Sequence, residues 1–321
     1  MSIIDTALHI RPLDTHTDML SVADLIEICF GSQLDPDGFT YLEQIRKAAL
    51  DQRLVRWALT AGEMVSYPLN GYVCELDHQV IGNLSIIPFY WKHEWYYLIA
   101  NVAVHPNFRR QGIAHRLTAK ALEHLRRLPI RAVWLHVRED NLAARHLYVT
   151  FQFQDRCVRD TWVSSDLTNN LLRFTPGIQI GTPAREDWPS MKKYLNGLYP
   201  PEVTWNLGFD AERYKPGLLQ ILVQMFSDEK LMQWSVKTGG QFAAAAVLEK
   251  SPSYADHIFL AWPPDGDERV ITTLLPYIKA NFSPTRPLLV NLPAHVAENA
   301  LPQAGFELLT RLIWMEIRIN G

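Results

Sequence analysis

The segment from Asn101 to Ala114 combines a backbone pattern and charges that suit a phosphate group. It reads Asn-Val-Ala-Val-His-Pro-Asn-Phe-Arg-Arg-Gln-Gly-Ile-Ala, which is an apolar strand pattern, a turn and the start of an amphipathic helix. The first N–H groups of a helix lack intrahelical partners and, with the helix dipole, attract anions. Gly112 lets a ligand approach the backbone, and Arg109 and Arg110 add positive charge. The pattern therefore predicts a phosphate or pyrophosphate site, the alternative being an ordinary strand-to-helix turn.

Other nucleotide-binding motifs do not fit this segment. It has neither the Lys-Ser/Thr pair of a P-loop nor a Gly-x-Gly-x-x-Gly turn. A strand pattern at Val133 to Val137 follows, and then the segment Asn141-Leu142-Ala143-Ala144-Arg145-His146-Leu147-Tyr148. From the residues alone, the ligand is no more than a phosphate-containing molecule.

Together the two segments resemble the GCN5-related N-acetyltransferase (GNAT) superfamily. The loop pattern of that family, Arg/Gln-x-x-Gly-x-Gly/Ala, is matched by Arg109, Gly112 and Ala114, after a Val-x-Val-x-Pro run at Val102, Val104 and Pro106. The second family pattern, Asn-x-x-Ala-x-x-Leu-Tyr, is matched by Asn141, Ala144, Leu147 and Tyr148. Family members usually continue with Gly-Phe, whereas this chain has Gln152-Phe153, so we expect the helix to end without an easy left-handed cap.

The resemblance implies acetyl-CoA as a co-substrate, no metal, and transfer of the acetyl group to a primary amine by direct attack in a ternary complex. The residues implied in binding acetyl-CoA are Val102, Ala103, Val104, Arg109, Arg110, Gln111, Gly112, Ile113, Ala114, Asn141 and Tyr148. An N–H near Ala103 or Val104 would polarise the acetyl carbonyl. Tyr148 would act as the general acid that protonates or hydrogen-bonds the departing thiolate; the alternative is a core tyrosine.

The general base is less well defined by the sequence. Family members often carry a glutamate on the strand before the loop, but Leu98 to Asn101 contains no carboxylate. Glu94 and His93, at the start of that strand, are the nearest titratable candidates. Both have an alternative interpretation as solvated charges of a hairpin, and a substrate amine that is already partly neutral would need no base.

The elements that position these residues alternate along the first half and recur in the second. The first half predicts a hairpin around Asp77, a buried strand at Tyr96–Val104, helices at Gly112–Arg127 and Asn141–Tyr148, and a last strand at Phe153–Val163. The second half repeats this order with a hairpin around Gly239, helices at Asp210–Phe226, Glu268–Ala280 and Ala294–Leu301, and a last strand at Phe306–Ile319. This repetition predicts a duplicated domain.

The expected fold is α/β (α+β), with two tandem GNAT-like domains. Each would be a mixed, mostly antiparallel twisted sheet flanked by helices, with a splayed central pair of parallel strands. The predicted boundaries are a catalytic domain at 1–166, a linker at 167–176 and a degenerate domain at 177–321. The counterpart loop of the second half carries Asp265, Asp267 and Glu268, so we expect it to bind no CoA.

Composition narrows the class of protein. The chain has 321 residues, 48% of them hydrophobic and 20% charged, a net charge of −3 and three cysteines. The apolar fraction indicates a folded protein, and the net charge argues against a dedicated nucleic-acid binder. The sequence has no apolar stretch of about 20 residues and no basic segment followed by an apolar one at its start, so we expect neither a membrane span nor a secretory signal. We expect a cytoplasmic monomer or homodimer whose partner is a small-molecule or peptide amine. The alternatives are a non-enzymatic acyl-CoA sensor or scaffold and, weakened by the acidity, a platform that binds protein or RNA tails.

Overall fold

The computed structural model describes residues 8–34, 36–50, 70–164, 175–217, 231–251, 254–282 and 284–319. These residues fall into two compact units. The first unit comprises Met1–Arg156 together with Trp314–Gly321, and the second comprises Cys157–Ile313. No helix within the described ranges is long and apolar enough to cross a membrane.

The first half of the chain forms the elements that the sequence predicts around the phosphate loop. Its strands are β1 His9–Pro12, β2 Asn70–Leu76, β3 Gln79–Trp91, β4 Glu94–Val104, β5 Ala132–Arg138 and β6 Gln154–Ser164. Its helices are α1 Met19–Phe30, α2 Pro36–Leu50, α3 Ile113–Leu125 and α4 Leu142–Thr150. The predicted hairpin around Asp77 is confirmed as β2 and β3, which pair antiparallel.

The second half follows the same order. Its strands are β7 Ile178–Gly181, β8 Leu231–Thr238, β9 Gln241–Glu249, β10 Asp256–Ala261, β11 Leu288–Pro293 and β12 Glu307–Arg318. Its helices are α5 Trp188–Leu198, α6 Pro201–Leu207, α7 Glu268–Phe282 and α8 Ala300–Gln303. The predicted hairpin around Gly239 is confirmed as β8 and β9.

The last strands of the two halves are exchanged. The strand order runs β1-β2-β3-β4-β5-β12 from the first unit and β7-β8-β9-β10-β11-β6 from the second. The boundary between the units crosses both last strands, so that residues 314–318 of β12 lie in the first unit and residues 157–164 of β6 lie in the second. Strand β6 pairs antiparallel with β11, and beyond the end of β12 the N–H of Ile319 donates to the carbonyl of Arg131, just before β5. The predicted boundaries 1–166 and 177–321 therefore differ from these units, because each half contributes part of its last strand to the other unit. Most of the predicted linker, 167–174, lies outside the described residues.

Helices cover both faces of the first unit's sheet. Met19, Val22 and Ile26 of α1, with Leu42 and Ile45 of α2, form a buried cluster against Val73 of β2. Helix α3 packs on the opposite face, where a Cβ at Gly82 would lie 2.8 Å from Ile113 and 3.2 Å from Leu117. The sheet between these layers presents the carboxyl end of β4 to the N-terminus of α3.

Three expectations about individual elements need correction. The helix predicted at Ala294–Leu301 is reduced to Ala300–Gln303, because His295 and Ala297 adopt left-handed φ angles of 67° and 55°. Of the helix predicted at Asp210–Phe226, the described part is a short 3-10 turn at Ala211–Tyr214, since Lys215 is extended before Pro216; residues 218–226 lie outside the described ranges. Strand β4 is also less enclosed than predicted, since only Leu98, Ile99 and Ala103 are buried.

Candidate functional site

The central parallel strands of the first unit separate half-way along β4. The β4–β5 ladder joins Tyr97 to Val133, Leu98 to Trp134 and Ile99 to Leu135. Past Ile99 the pairing stops, although both strands continue, to Val104 and Arg138. Residues 100–104 of β4 therefore have no strand partner on the β5 side, while the other side remains paired to β3. Apart from the Val104 carbonyl, which accepts from Cys29 and Arg109, this opening leaves backbone hydrogen-bonding groups available to an extended ligand.

A β-bulge marks the start of this opening. Residue Ser85 of β3 pairs with Ala100 and Asn83 pairs with Ala103, so one residue of β3 faces two of β4. Asn101 lies in the bulge with a left-handed φ of 51°. Its side-chain amide donates to the Tyr41 hydroxyl at 2.9 Å and to Ser85 Oγ at 3.2 Å, and Asn83 donates to its carbonyl at 3.0 Å. These bonds hold the bulge in place.

The loop after β4 has the backbone of an anion site. Arg110 and Gly112 both adopt left-handed φ angles, 61° and 76°, in an alternation that brings successive N–H groups together. Gly112 occupies the N-cap of α3, and no side chain caps this helix. A Cβ built on Gly112 would meet nothing within 4 Å, so the space in front of the helix is open.

Positive charge surrounds this open helix end. Arg109, Arg110 and Gln111 are exposed, and the stretch from His105 to Arg116 contains no carboxylate. The guanidinium of Arg109 donates to the Val104 carbonyl at 3.2 Å, which keeps its charge at the end of β4. Ile113 is buried and anchors the first turn of α3, and Ala114 beside it is small and half-buried. The structure thus brings together the end of β4 and residues 109–114.

Asn141 and Tyr148 lie on α4, which follows β5. Asn141 is the N-cap, and its side-chain oxygen accepts from the Ala144 N–H at 3.1 Å. This cap uses only the oxygen, so the amide N–H groups stay available. Tyr148 is buried against Phe153, and burial raises the pKa of its hydroxyl. The hydroxyl therefore keeps its proton at neutral pH and can donate a hydrogen bond.

The end of α4 departs from the expectation at Gln152. Although this residue is not glycine, it adopts a left-handed φ of 70°, and the Phe153 N–H closes the helix on the Tyr148 carbonyl at 3.1 Å. The left-handed cap is therefore present, at a cost of about 1 kcal/mol relative to glycine. The corresponding Gly305 in the second half has a φ of 80°.

Glu94 and His93 lie away from this loop, at the β3–β4 hairpin. Glu94 accepts from the Tyr96 hydroxyl at 3.1 Å and lies 3.9 Å from Arg131, and His93 contacts the ring of Tyr90. The rise of a β-strand places Glu94 about 20 Å from Ala100, where the opening begins. The structure does not bring these two candidate bases to the opening.

The second unit has the same parallel pair, and internal contacts occupy three positions beyond it. Strands β10 and β11 pair over Asp256–Ile258 and Leu288–Val290. Beyond the ladder, the Leu260 N–H donates to the buried Tyr199 hydroxyl at 3.1 Å. At the next helix a Cβ on Gly266 would collide with the indole of Trp262, and Asp267 accepts from the Arg269 N–H at 2.9 Å.

Sequence reasoning missed the polar groups beside the opening. Asn83, Ser85 and Tyr41 hold the bulge, and His136 follows Leu135 on β5. A usable signal was the Asn-x-Ser pair at 83–85 inside an otherwise apolar strand. The described ranges contain no group of three His, Cys, Asp or Glu side chains arranged to hold a metal.

Residues 32–153 match the profile of the acetyltransferase (GNAT) family. The matched residues are those that carry the loop and the β4–β5 opening.

Individual proteins and solved structures are also similar to the chain. The chain is 34% identical over 59 residues to the [ribosomal protein bS18]-alanine N-acetyltransferase of Escherichia coli strain K12, a match that spans 18% of this chain and 40% of that protein. A GCN5-related N-acetyltransferase from Sphaerobacter thermophilus has a similar structure, with a TM-score of 0.58 at 13% identity, covering 98% of this chain and 96% of that one. A tandem GNAT protein from the clavulanic acid biosynthesis pathway gives a TM-score of 0.50 at 14% identity, in an alignment that covers 98% of this chain and 99% of that one. The predicted fold of two tandem GNAT-like domains is thereby confirmed.

Proposed function

We propose that the first unit is an N-acetyltransferase that binds acetyl-CoA and transfers the acetyl group to a primary amine. The observation that carries the proposal is the continuity between the unpaired edge of β4 and the open, positively charged N-terminus of α3. An extended arm with amide groups, ending in a pyrophosphate, complements both features. Its amides would pair with the free strand edge, and its charge would sit at the helix end.

In this proposal the N–H groups of residues 109–114 bind the pyrophosphate, and the backbone of Val102 and Val104 pairs with the pantetheine arm. The N–H of Ala103 or Val104 donates to the acetyl oxygen, which gains negative charge as the amine attacks. The Asn141 amide N–H bonds the pantetheine. The Tyr148 hydroxyl donates to the thiolate as the C–S bond breaks.

Direct attack within a ternary complex fits the described residues of the opening better than a covalent acyl-enzyme. Cys29, the cysteine nearest the loop, donates from Sγ to the Val104 carbonyl, and burial raises the pKa of its thiol. A thiol with a raised pKa is a poor nucleophile at neutral pH, because the thiolate is the reactive form. The amine therefore attacks the thioester itself.

We also propose that the second unit binds no CoA. Tyr199 already accepts from a strand N–H beyond the parallel ladder, Trp262 fills the space at Gly266, and Asp267 uses the first-turn amide of α7. These three positions of the second unit are therefore already in contact with its own side chains. Its contribution would then be structural.

The acceptor is proposed as a small-molecule or peptide amine. The bacterial relative acts, by its name, on an alanine of ribosomal protein bS18, so a peptide that begins with alanine is the first acceptor to test. A cytoplasmic location would suit such an acceptor and the three free cysteines.

Calorimetric titration with acetyl-CoA tests the site, and we expect one binding site per chain. Release of free CoA thiol is then followed with a panel of amines, namely an alanine-initiated peptide, a polyamine, an aminoglycoside and free amino acids. Two binding sites would contradict the assignment of the second unit. Binding without transfer to any amine would favour the alternative function, an acyl-CoA sensor, which the distance of Glu94 from the opening also favours.

A further inference from the structure

Four uncharged polar side chains lie together where β4 separates from β5. They are Asn83 and Ser85 of β3, Asn101 in the bulge of β4, and Tyr41 of α2. Asn83 pairs with Val73 of β2, which packs against α1 and α2. Because paired residues share a face of the sheet, this polar cluster lies on the face that packs against these two helices. Asn101 itself belongs to residues 100–104, the part of β4 without a strand partner on the β5 side.

The polar cluster has hydrogen-bonding capacity that the folded chain does not use. The Asn101 amide is oriented with Nδ2 toward two hydroxyls, and it donates to Tyr41 at 2.9 Å and to Ser85 Oγ at 3.2 Å. Within the described ranges its Oδ1 atom accepts no hydrogen bond, and the residue is half-buried. The Tyr41 hydroxyl accepts from Asn101 but donates to no described residue, and burial raises its pKa, so it keeps its proton at neutral pH. One acceptor atom and one donor hydroxyl, on side chains that are hydrogen-bonded to each other, are therefore available beside the opening.

The proposed course of acetyl-CoA brings its reactive end to this cluster. With the pyrophosphate at residues 109–114 and the pantetheine arm along Val104 and Val102, the acetyl group lies further back along β4, towards Asn101. The rise of a strand places Asn101 about 7 Å from Ala103, whose N–H is one proposed donor to the acetyl oxygen. An amine that attacks the acetyl carbon from the α2 face therefore reaches the polar cluster.

The available acceptor and donor match the amino terminus of a peptide. In an extended amino-terminal residue, the amine and the carbonyl oxygen of that residue lie on the same side of the chain, about 3 Å apart. The amine can then donate to Asn101 Oδ1 while the carbonyl accepts from the Tyr41 hydroxyl. A polyamine offers only donors, and its other ammonium groups would lose solvation beside four uncharged side chains.

We propose that Asn101 and Tyr41 bind the amino-terminal residue of the acceptor, Asn101 through the amine and Tyr41 through the carbonyl. The acceptor is then an α-amine with a carbonyl group attached to the same carbon, as in a peptide or an amino-acid amide, and not a polyamine. The inference rests on the proposed function and narrows its class of acceptor. The two side chains orient the amine and take no proton from it, because Tyr41 stays protonated and an amide is not a base.

Three variants and one control separate binding of the acceptor from support of the bulge. Tyr41→Phe keeps the ring and removes the hydroxyl. Asn101→Gly removes the side chain, and glycine adopts the left-handed φ of 51° without strain. Asn101→Asp keeps the shape of the side chain and adds a negative charge. Tyr194→Phe removes the hydroxyl of another half-buried tyrosine, on α5 of the second unit, and should leave every measured quantity unchanged.

The assay compares an alanine-initiated peptide with isopropylamine, which has the same amine-bearing carbon and methyl group but no carbonyl. Thiol release gives kcat/KM for each amine, and where isopropylamine reacts too slowly its inhibition constant against the peptide is used instead. We expect Tyr41→Phe to lose about 10-fold for the peptide and less than about 2-fold for isopropylamine, since only the peptide has a carbonyl that loses a hydrogen bond.

The two variants of Asn101 should act on the amine itself. Asn101→Gly should lose about 10-fold for both amines, because both donate to Oδ1. Asn101→Asp should raise kcat/KM for spermidine relative to the peptide by about 10-fold or more, because the added charge attracts a cation. Acetyl-CoA affinity, measured by calorimetry, should stay within about 2-fold of the wild type in all three variants.

Other outcomes overturn the inference. Equal losses for the two amines in Tyr41→Phe, or loss of acetyl-CoA affinity in parallel with turnover, would assign the polar cluster to support of the bulge. Wild-type kcat/KM for the peptide in both Tyr41→Phe and Asn101→Gly would remove these residues from acceptor binding. A wild type that acetylates spermidine faster than the peptide would overturn the class of acceptor. If Asn101→Gly does not fold, Tyr41→Phe and Asn101→Asp decide. A wild-type protein that binds acetyl-CoA and acetylates no amine contradicts the proposed function instead.

Discussion

Replacing Gly112 by alanine tests the proposed phosphate site most directly. The residue has a left-handed φ of 76°, and a Cβ there would meet nothing within 4 Å. The folded chain thus has room for the methyl group, and the cost to stability is the backbone strain alone, about 1–2 kcal/mol. The methyl group would, however, occupy the open space in front of the first turn of α3. Acetyl-CoA should therefore lose affinity beyond the loss of stability.

The magnitude of that loss follows from the groups affected. Hydrogen bonds to charged groups contribute about 1.5–3 kcal/mol each, and about 1.4 kcal/mol corresponds to a tenfold change in affinity. Loss of one or two N–H contacts to the pyrophosphate should weaken acetyl-CoA binding by about 10-fold to 100-fold. Calorimetric titration gives the affinity, and urea unfolding gives the stability.

Gly208 supplies a matched control. It ends α6 in the second unit with a left-handed φ of 61°, and a Cβ there would also meet nothing within 4 Å. Gly208→Ala should lose a similar amount of stability and keep wild-type affinity for acetyl-CoA. Gly266 is unsuitable, because its Cβ would collide with Trp262. Equal affinities in the wild type and Gly112→Ala, or equal losses in both variants, would refute the reasoning.

Three further predictions address other contacts. Tyr148→Phe should lower kcat, measured by thiol release, by about 100-fold, while the affinity for acetyl-CoA, measured by calorimetry, stays that of the wild type. Unchanged turnover would mean that Tyr148 has only a packing role. Tyr199→Phe leaves the Leu260 N–H without its acceptor and should lower the free energy of unfolding by about 1–3 kcal/mol. Unchanged stability would contradict the role of this hydrogen bond, and a second acetyl-CoA site in the variant would contradict the proposal that the second unit binds no CoA. Burial alone raises the pKa of Asp18, but the bonds from Arg11 and from a backbone N–H outweigh it and hold this pKa low. A lowered carboxyl pKa stabilises the fold above the unfolded value of about 3.9 and loses this effect as pH falls through the folded pKa. Arg11→Gln should thus lose about 1–2 kcal/mol at pH 7 and much less near pH 3 in urea titrations; an equal loss at both values would contradict the role of Asp18.

Local sequence features were sufficient to predict the loop and its helix. A glycine after an apolar strand and before an amphipathic run constrains only neighbouring residues, and Arg109 to Ala114 fold as expected. The bulge at Asn101 was not predictable in this way. A non-glycine residue with a positive φ is held by Asn83 and Tyr41, which are distant in sequence.

The exchange of β6 and β12 has a similar explanation. Neither strand has a regular alternation of apolar and polar residues, and the pattern of a strand specifies at most which of its faces is buried, not which sheet the strand joins. The choice depends on contacts far along the chain. One is the pair that Asp160 of β6 forms with Arg311 of β12 in the second unit, with bonds of 2.6 Å and 2.8 Å.

The two units differ in how they pair the backbone groups at the point where two parallel strands separate. Where two parallel strands part, backbone N–H and C=O groups lose their partners, and burying them unpaired is costly. In the second unit the Leu260 N–H donates a hydrogen bond to the hydroxyl of Tyr199, which lies in a cluster of buried aromatic rings. In the first unit the β4 edge past Ile99 stays unpaired on the β5 side and leads to an open, uncapped helix end. An opening that is left unfilled in one copy of a fold, and filled by a side chain in the other, is the arrangement expected when only the first copy binds an extended ligand.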